Sequence, residues 1–182
     1  MLFNSYSFLF FFPIVVIIYY LLPKKVSYLW LLAASYYFYM GWNAKYALLL
    51  LLSTTITYIS GILLQWMLDR HPDNVAAKKW IVAGSFASNL AILFFFKYFN
   101  FAVESLNAVL QHTSLPAVNT SLDVLLPVGI SFYTFQALGY TVDVYRGEIR
   151  AERNFFRYAL FVSFFPQLVA GPIERSKNLL NQ

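Results

Sequence analysis

Five or six apolar runs follow one another along this chain, separated by short polar loops, and that series leaves few folds open. One such run could be the core helix of a soluble protein. A series of them is the pattern of a membrane domain. In hydrocarbon every backbone amide must be satisfied within its own segment, so the runs are read as helices. Composition agrees: 60% of the residues are hydrophobic and 12% are charged, about half the usual charged share. The expected fold class is therefore all-α. We expect a polytopic helical membrane protein with five to six membrane-embedded helices, forming a single membrane domain over residues 1–182.

Punctuation places the segments. The first runs over Ser5–Leu22, with Pro13 as a kink, and Pro23-Lys24-Lys25 closes it. It lacks a basic leader and a small-residue cleavage site, so it is expected to stay as a membrane helix. The second, Val26–Met40, is short, and Tyr36, Tyr37 and Tyr39 at its end, with Trp42 in the turn that follows, resemble an interfacial aromatic belt. The third spans Tyr46–Leu68. A polar loop with the turn signal His71-Pro72-Asp73-Asn74 follows. The fourth covers Trp80–Phe96, and its helix is expected to continue through Phe101–Leu110 as an interfacial segment. The fifth is Leu122–Val142. The sixth is Phe155–Ala170, with Pro166 and Gln167 inside it, and Gly171-Pro172 ends it.

The fifth run differs from a lipid anchor. The stretch Leu126–Gly147 carries Pro127, Gly129 and Gly139 together with Ser131, Gln136, Asp143 and Arg146. Polar side chains and helix breakers at membrane depth are costly unless they face protein, water or a substrate path. At 100° per residue, Gly129, Tyr133, Gln136, Tyr140 and Asp143 share one narrow arc. The arc predicts either a lined polar path or hydrogen bonds between packed helices, the latter about 1 kcal/mol each. Ser131, Tyr133, Gln136 and Tyr140 are the candidate lining. Asp143 and Arg146, three apart, are read as a structural ion pair at the boundary. Lys97, set among aromatic residues, is expected to snorkel to the interface. The segment Gly171-Pro172-Ile173-Glu174-Arg175 is read as a helix stop or a re-entrant, funnel-lining element. Pro172 and Glu174 are its boundary candidates.

Charge suggests topology. Lys24, Lys25, Arg70, Lys78 and Lys79 fall on one side and Lys45 on the other. A full crossing by the fifth run adds Arg146, Arg150, Arg153 and Arg157 to the first group. The asymmetry predicts an N-terminus outside and the basic loops in the cytoplasm. The net charge of +5 is assigned to this role and not to nucleic acid, since no basic patch interleaved with stacking aromatics stands outside the apolar runs. There is no cysteine, which excludes disulfides and thiol chemistry. His71 and His112 sit in polar loops with no orienting partner in sequence, and no nucleophile, phosphate-loop or metal-ligand spacing is present. No catalytic residue and no metal site are assigned.

The blocks PVGISFYTFQ and YTVDVYRG within Leu126–Gly147, and FVSFFPQLVAGPIER over Phe161–Arg175, resemble the membrane-bound O-acyltransferase family. The opening Phe3–Leu22, the YYFYMGW of Tyr36–Trp42 and the FFFKYF of Phe94–Phe99 are similar to its bacterial, alginate O-acetylase-like branch. The resemblance implies an inner-membrane enzyme that moves an acyl group, here an acetyl, from a cytoplasmic donor to hydroxyls of an exported polysaccharide such as alginate. It implies a ring or funnel of helices, with a deep histidine as the base for the acceptor hydroxyl. It implies no bound cofactor: the donor, acetyl-CoA or an acyl carrier, is a substrate. The implied partners are the lipid bilayer, the polysaccharide acceptor or periplasmic acyltransferase proteins, and a C-terminal half. Family members are more than twice as long, and their histidine lies in that second half. His71 and His112 match no such position, so the expectation is an N-terminal portion that is inactive alone. Two other classes stay open: a transporter or channel-like protein, and a non-catalytic membrane scaffold.

Overall fold

A computed structural model describes residues 6–41, 44–111 and 129–170. These form seven helices, and no strand occurs among them. They are α1 (Tyr6–Leu21), α2 (Lys24–Met40), α3 (Ala44–Arg70), α4 (Val75–Gln111), α5 (Ile130–Tyr145), α6 (Phe155–Ser163) and α7 (Phe165–Ala170). Ala44–Arg70 and Val75–Phe99 are each long and apolar enough to cross a membrane. Large apolar side chains such as Phe10, Tyr20, Leu48, Trp80, Phe94 and Phe101 point outward, as they do when the solvent is lipid.

Helix α3 is the hub, packing against α2, α4, α5 and α6, while α1 lies on the outside of α2. The inward face of α3 carries Ala47, Leu50, Ser53, Thr54, Thr57, Ser60, Gly61 and Leu64. Small residues let helix backbones approach closely where lipid provides no hydrophobic drive for association. Their hydroxyls are satisfied within the helix: Thr54 donates to the Leu50 carbonyl at 2.7 Å, Thr57 to Ser53 at 2.9 Å and Ser60 to Ile56 at 2.8 Å. Between α3 and α4, Ser53 donates to the Asn89 side chain, whose amide returns to the Ser85 carbonyl at 2.9 Å. Gly61 is needed where it stands. A Cβ there would lie 2.7 Å from Cε1 of Tyr140 on α5.

The fourth run does continue: α4 is one helix of 37 residues, about 55 Å long at 1.5 Å per residue. Lys97 is exposed and lies over the Tyr98 ring at 5.5 Å. It stands about 33 Å along the axis from Val75, close to the thickness of the hydrocarbon core. The belt expected at the end of the second run divides: Tyr37 is exposed, but Tyr39 is buried in the core. His71 is exposed with its ring against Trp66.

Two expected outlines change. Gly139, read as a breaker, sits on the exposed side of an unbroken α5. The glycines that bound α5 are Gly129 at its N-cap and Gly147 after its end, with φ of 78° and 72°, a region where other residues are strained. At the C-terminal end Glu148 N–H donates to the Asp143 carbonyl and Gly147 N–H to that of Val144, both at 3.0 Å, the Schellman arrangement. The sixth run is not one helix. It splits at Phe164, where ψ is 109°, into α6 and the short α7. Leu122–Val128, His112, Pro172 and Glu174 lie outside the described residues.

Candidate functional site: a broken helix clasped by a polar stripe

Pro166 explains the split. It has no N–H to continue the α6 ladder, yet it is tolerated in the first turn of a new helix. The chain therefore leaves helical geometry at Phe164 and restarts, with Gln167 N–H donating to the Phe164 carbonyl at 3.1 Å. The break strands backbone groups in the interior, and neighbouring helices take them up. Gln136 of α5, buried, donates to the Phe161 carbonyl at 2.7 Å and lies 3.3 Å from the side-chain oxygen of Gln167. Ser35 of α2 accepts from Phe165 N–H at 3.3 Å and donates to the Leu31 carbonyl at 2.8 Å. Irregular backbone at membrane depth requires this kind of internal satisfaction.

The predicted arc on α5 faces inward. Tyr133, Gln136 and Tyr140 are buried, Ser131 and Asp143 half-buried. Tyr133 has no exposed surface, and its hydroxyl has no hydrogen-bond partner among the described residues. The hydroxyl of Ser163, at the end of α6, is buried and unpaired in the same sense. Beside the break an apolar groove of about 300 Å³ runs along α1 and α2, walled by Val15, Val16, Tyr19, Leu31 and Phe165.

Two turns further along α5 the stripe has a different character. The Tyr140 hydroxyl accepts from Glu152 N–H at 2.9 Å, and its ring packs on Tyr158 with centroids 4.5 Å apart. Tyr158 donates to Thr57 at 2.7 Å. Tyr58 donates to the Arg153 carbonyl at 2.6 Å, and Gln65 accepts from Ala151 N–H at 3.1 Å. Asn154 caps α6 by accepting from Phe156 and Arg157 N–H. The segment between α5 and α6 is thus fastened to α3 and α5 at nearly every residue from 151 to 154. Together with the Asn154 side chain, which donates to the Tyr28 hydroxyl of α2 at 3.4 Å, these contacts bring the start of α2, the end of α3 and the α5–α6 segment to one end of the bundle.

Arg146 finds its ion-pair partner in Glu148 at 3.8 Å, at an exposed position, where the spacing had pointed to Asp143. Lys97 stands apart on α4. Sequence reasoning passed over Ser35, Tyr58, Gln65, Asn154 and Tyr158. Two signals were available: polar residues inside apolar helices, and an Asn directly before an apolar run. Among the described residues no group of His, Asp and Glu is placed to hold a metal ion.

Comparison with known proteins gives the arrangement its context. The chain is 41% identical over its full length to a probable alginate O-acetylase of Pseudomonas aeruginosa, and 42% identical, again over its full length, to that of Pseudomonas putida. It is 33% identical over 85% of its length to a peptidoglycan O-acetyltransferase of Helicobacter pylori. It spans 34%, 37% and 32% of these relatives. No family model and no solved structure matches the chain. The two blocks that carry the polar stripe and the broken helix lie within the matched length, and the chain belongs to the membrane-bound O-acyltransferase family, in its alginate O-acetylase branch, of which it represents about a third of the length.

Proposed function

We propose that the complete protein transfers an acetyl group from a cytoplasmic donor, acetyl-CoA or an acyl carrier, to hydroxyls of an exported polysaccharide such as alginate. The observation that carries this reading is the likeness of the whole chain to relatives named for O-acetylation of polysaccharides. In this reading the protein lies in the bacterial inner membrane with its N-terminus in the periplasm. The excess of Lys and Arg at the end of the bundle that holds the α5–α6 segment supports that orientation. The acceptor is delivered directly or through periplasmic acyltransferase partners. The base that deprotonates the acceptor hydroxyl belongs to the protein beyond this chain.

This chain supplies one wall. The break at Phe164 is held in place by Gln136 and Ser35, and the hydroxyls of Tyr133 and Ser163, without partners among the described residues, are free to engage groups of the complete protein. A protein-lined wall limits loss of the acyl group to water. Broken helices also mark transport paths, but the relatives' names favour transfer.

The test is acetyl incorporation into exported polysaccharide by the complete protein with its partners present. A well-folded protein that modifies no acceptor sinks the reading. Gln136→Ala leaves the Phe161 carbonyl unpaired, at about 1 kcal/mol in stability. Acetyl transfer per folded molecule is expected to fall about tenfold, because the break loses its position. Unchanged transfer per folded molecule would reduce Gln136 to packing.

A further inference from the structure

Lys24 and Lys25 at the start of α2 and Arg153 and Arg157 at the start of α6 gather at one edge of the bundle. Asn154 donates to the Tyr28 hydroxyl at 3.4 Å, and the Arg157 guanidinium lies 5.4 Å from the Tyr28 ring. Tyr28 stands one turn beyond Lys24 and Lys25 on the same helix face. All four cations are exposed, and none is held in an ion pair among the described residues. The neighbouring acids are engaged: Glu148 by Arg146, and Glu152 by the backbone N–H of Asn154 at 2.8 Å. No acidic residue occupies the first turn of either helix.

The number of basic residues is enough to set topology, and their positions are free. Here the positions are fixed. The backbone that carries Arg153 is held by Tyr58, Tyr140 and Gln65. Lys24, Lys25 and Arg157 in the first turns also oppose the positive ends of α2 and α6, and only Arg157, over the Tyr28 ring, has a contact that offsets this. An external anion relieves that repulsion.

Two features identify the anion's source. Among the described residues the interior behind the edge is filled by Tyr140 and Tyr158, both buried and hydrogen-bonded. Beside the edge Val26, Leu29 and Phe156 are exposed. These apolar side chains belong in hydrocarbon, which sets the four cations at headgroup level. We propose that this edge binds the phosphate headgroup of an anionic phospholipid, with Arg153 and Arg157 as its main contacts.

The experiment is lipid retention by the complete membrane protein. Protein is taken from mixed phosphatidylglycerol–phosphatidylcholine nanodiscs, and bound lipid is counted by native mass spectrometry. Wild type is expected to retain phosphatidylglycerol in preference to phosphatidylcholine. Arg153→Gln with Arg157→Gln should weaken that retention about thirtyfold, roughly fivefold for each cation. The corresponding pair of Lys substitutions should keep most of it. Arg70→Gln with Lys79→Gln, two exposed cations at the end of α3 and the start of α4 with the same charge loss, should change it little. If the glutamine pair at Arg153 and Arg157 does not fold, Lys25→Gln carries the same prediction at about fivefold. An equal loss in the Arg70→Gln with Lys79→Gln pair reduces the effect to bulk charge and overturns the site. So does the absence of a phosphatidylglycerol preference. Displacement of the lipid by free coenzyme A reassigns the edge to a soluble phosphate donor and also overturns the proposal. Acetyl transfer is not the readout, so failure here leaves the proposed activity standing.

Discussion

Tyr133 and Tyr140 lie seven residues apart on the same face of α5, and neither has any exposed surface, but their hydroxyls are treated differently. Tyr140 is a structural fastener. Its ring fills the space that Gly61 leaves on α3 and packs at a tilt on Tyr158, and its oxygen holds the backbone at Glu152. Tyr133 is packed as tightly, and its hydroxyl has no partner among the described residues. A buried polar group without a partner costs about 1–3 kcal/mol, so a fold built for stability alone would place Phe there. Burial does not separate the two roles; the presence or absence of a partner does. The Tyr140 hydroxyl is satisfied within the described residues, and the Tyr133 hydroxyl, one turn from Gln136 on the same helix, is not.

The strongest way to break this comparison is Tyr140→Ala. It removes a large buried ring and leaves the Glu152 N–H unpaired, and we expect a loss of about 3–5 kcal/mol. The thermal midpoint in detergent should fall, and trypsin should reach Arg150 and Arg153 more readily. An unchanged midpoint would mean that the α5–α6 segment is held by other contacts. Gly61→Ala comes next, at about 1–3 kcal/mol, because the new methyl group meets the Tyr140 ring. Combined with Tyr140→Ala it should cost less than the sum of the two, since the clash disappears with the ring. A strictly additive pair would place the strain elsewhere.

The smallest effects on stability sharpen the comparison most. Tyr140→Phe should cost about 1 kcal/mol, the value of one hydrogen bond. Tyr133→Phe should raise stability by about 1 kcal/mol, since it removes a buried hydroxyl without a partner among the described residues, while acetyl transfer by the complete protein falls about tenfold, as one lost contact of about 1.4 kcal/mol would give. Equal destabilisation by both Phe substitutions would show that Tyr133 is also a fastener. Full activity in Tyr133→Phe would remove it from the wall.

Much of this was legible in the sequence because it is local. An apolar run needs only its own residues to declare a membrane helix, and the 3.6-residue period was enough to put Tyr133, Gln136 and Tyr140 on one face. Pro166 announced an interruption of the sixth run, since the missing N–H belongs to the residue itself. The resemblance to acyltransferases rested on contiguous blocks and needed no contacts. The ion-pair partner of Arg146 was misjudged for a related reason: a spacing of three assumes a continuing helix, and the helix ends at Tyr145.

Partnerships were decided by tertiary structure alone. Tyr58 meets Arg153 across 95 residues, Gln65 meets Ala151 across 86, and Ser35 meets Phe165 across 130. Nothing in the spacing of a polar residue says which distant backbone group it will satisfy; that depends on which helices are neighbours and how each is rotated. The arc on α5 was therefore visible from the sequence as a single polar feature. Only the packed bundle divided it into Tyr140, whose hydrogen bond is completed by the segment after α5, and Tyr133, whose hydroxyl has no partner among the described residues, because a side chain's role at membrane depth is set by what stands opposite it.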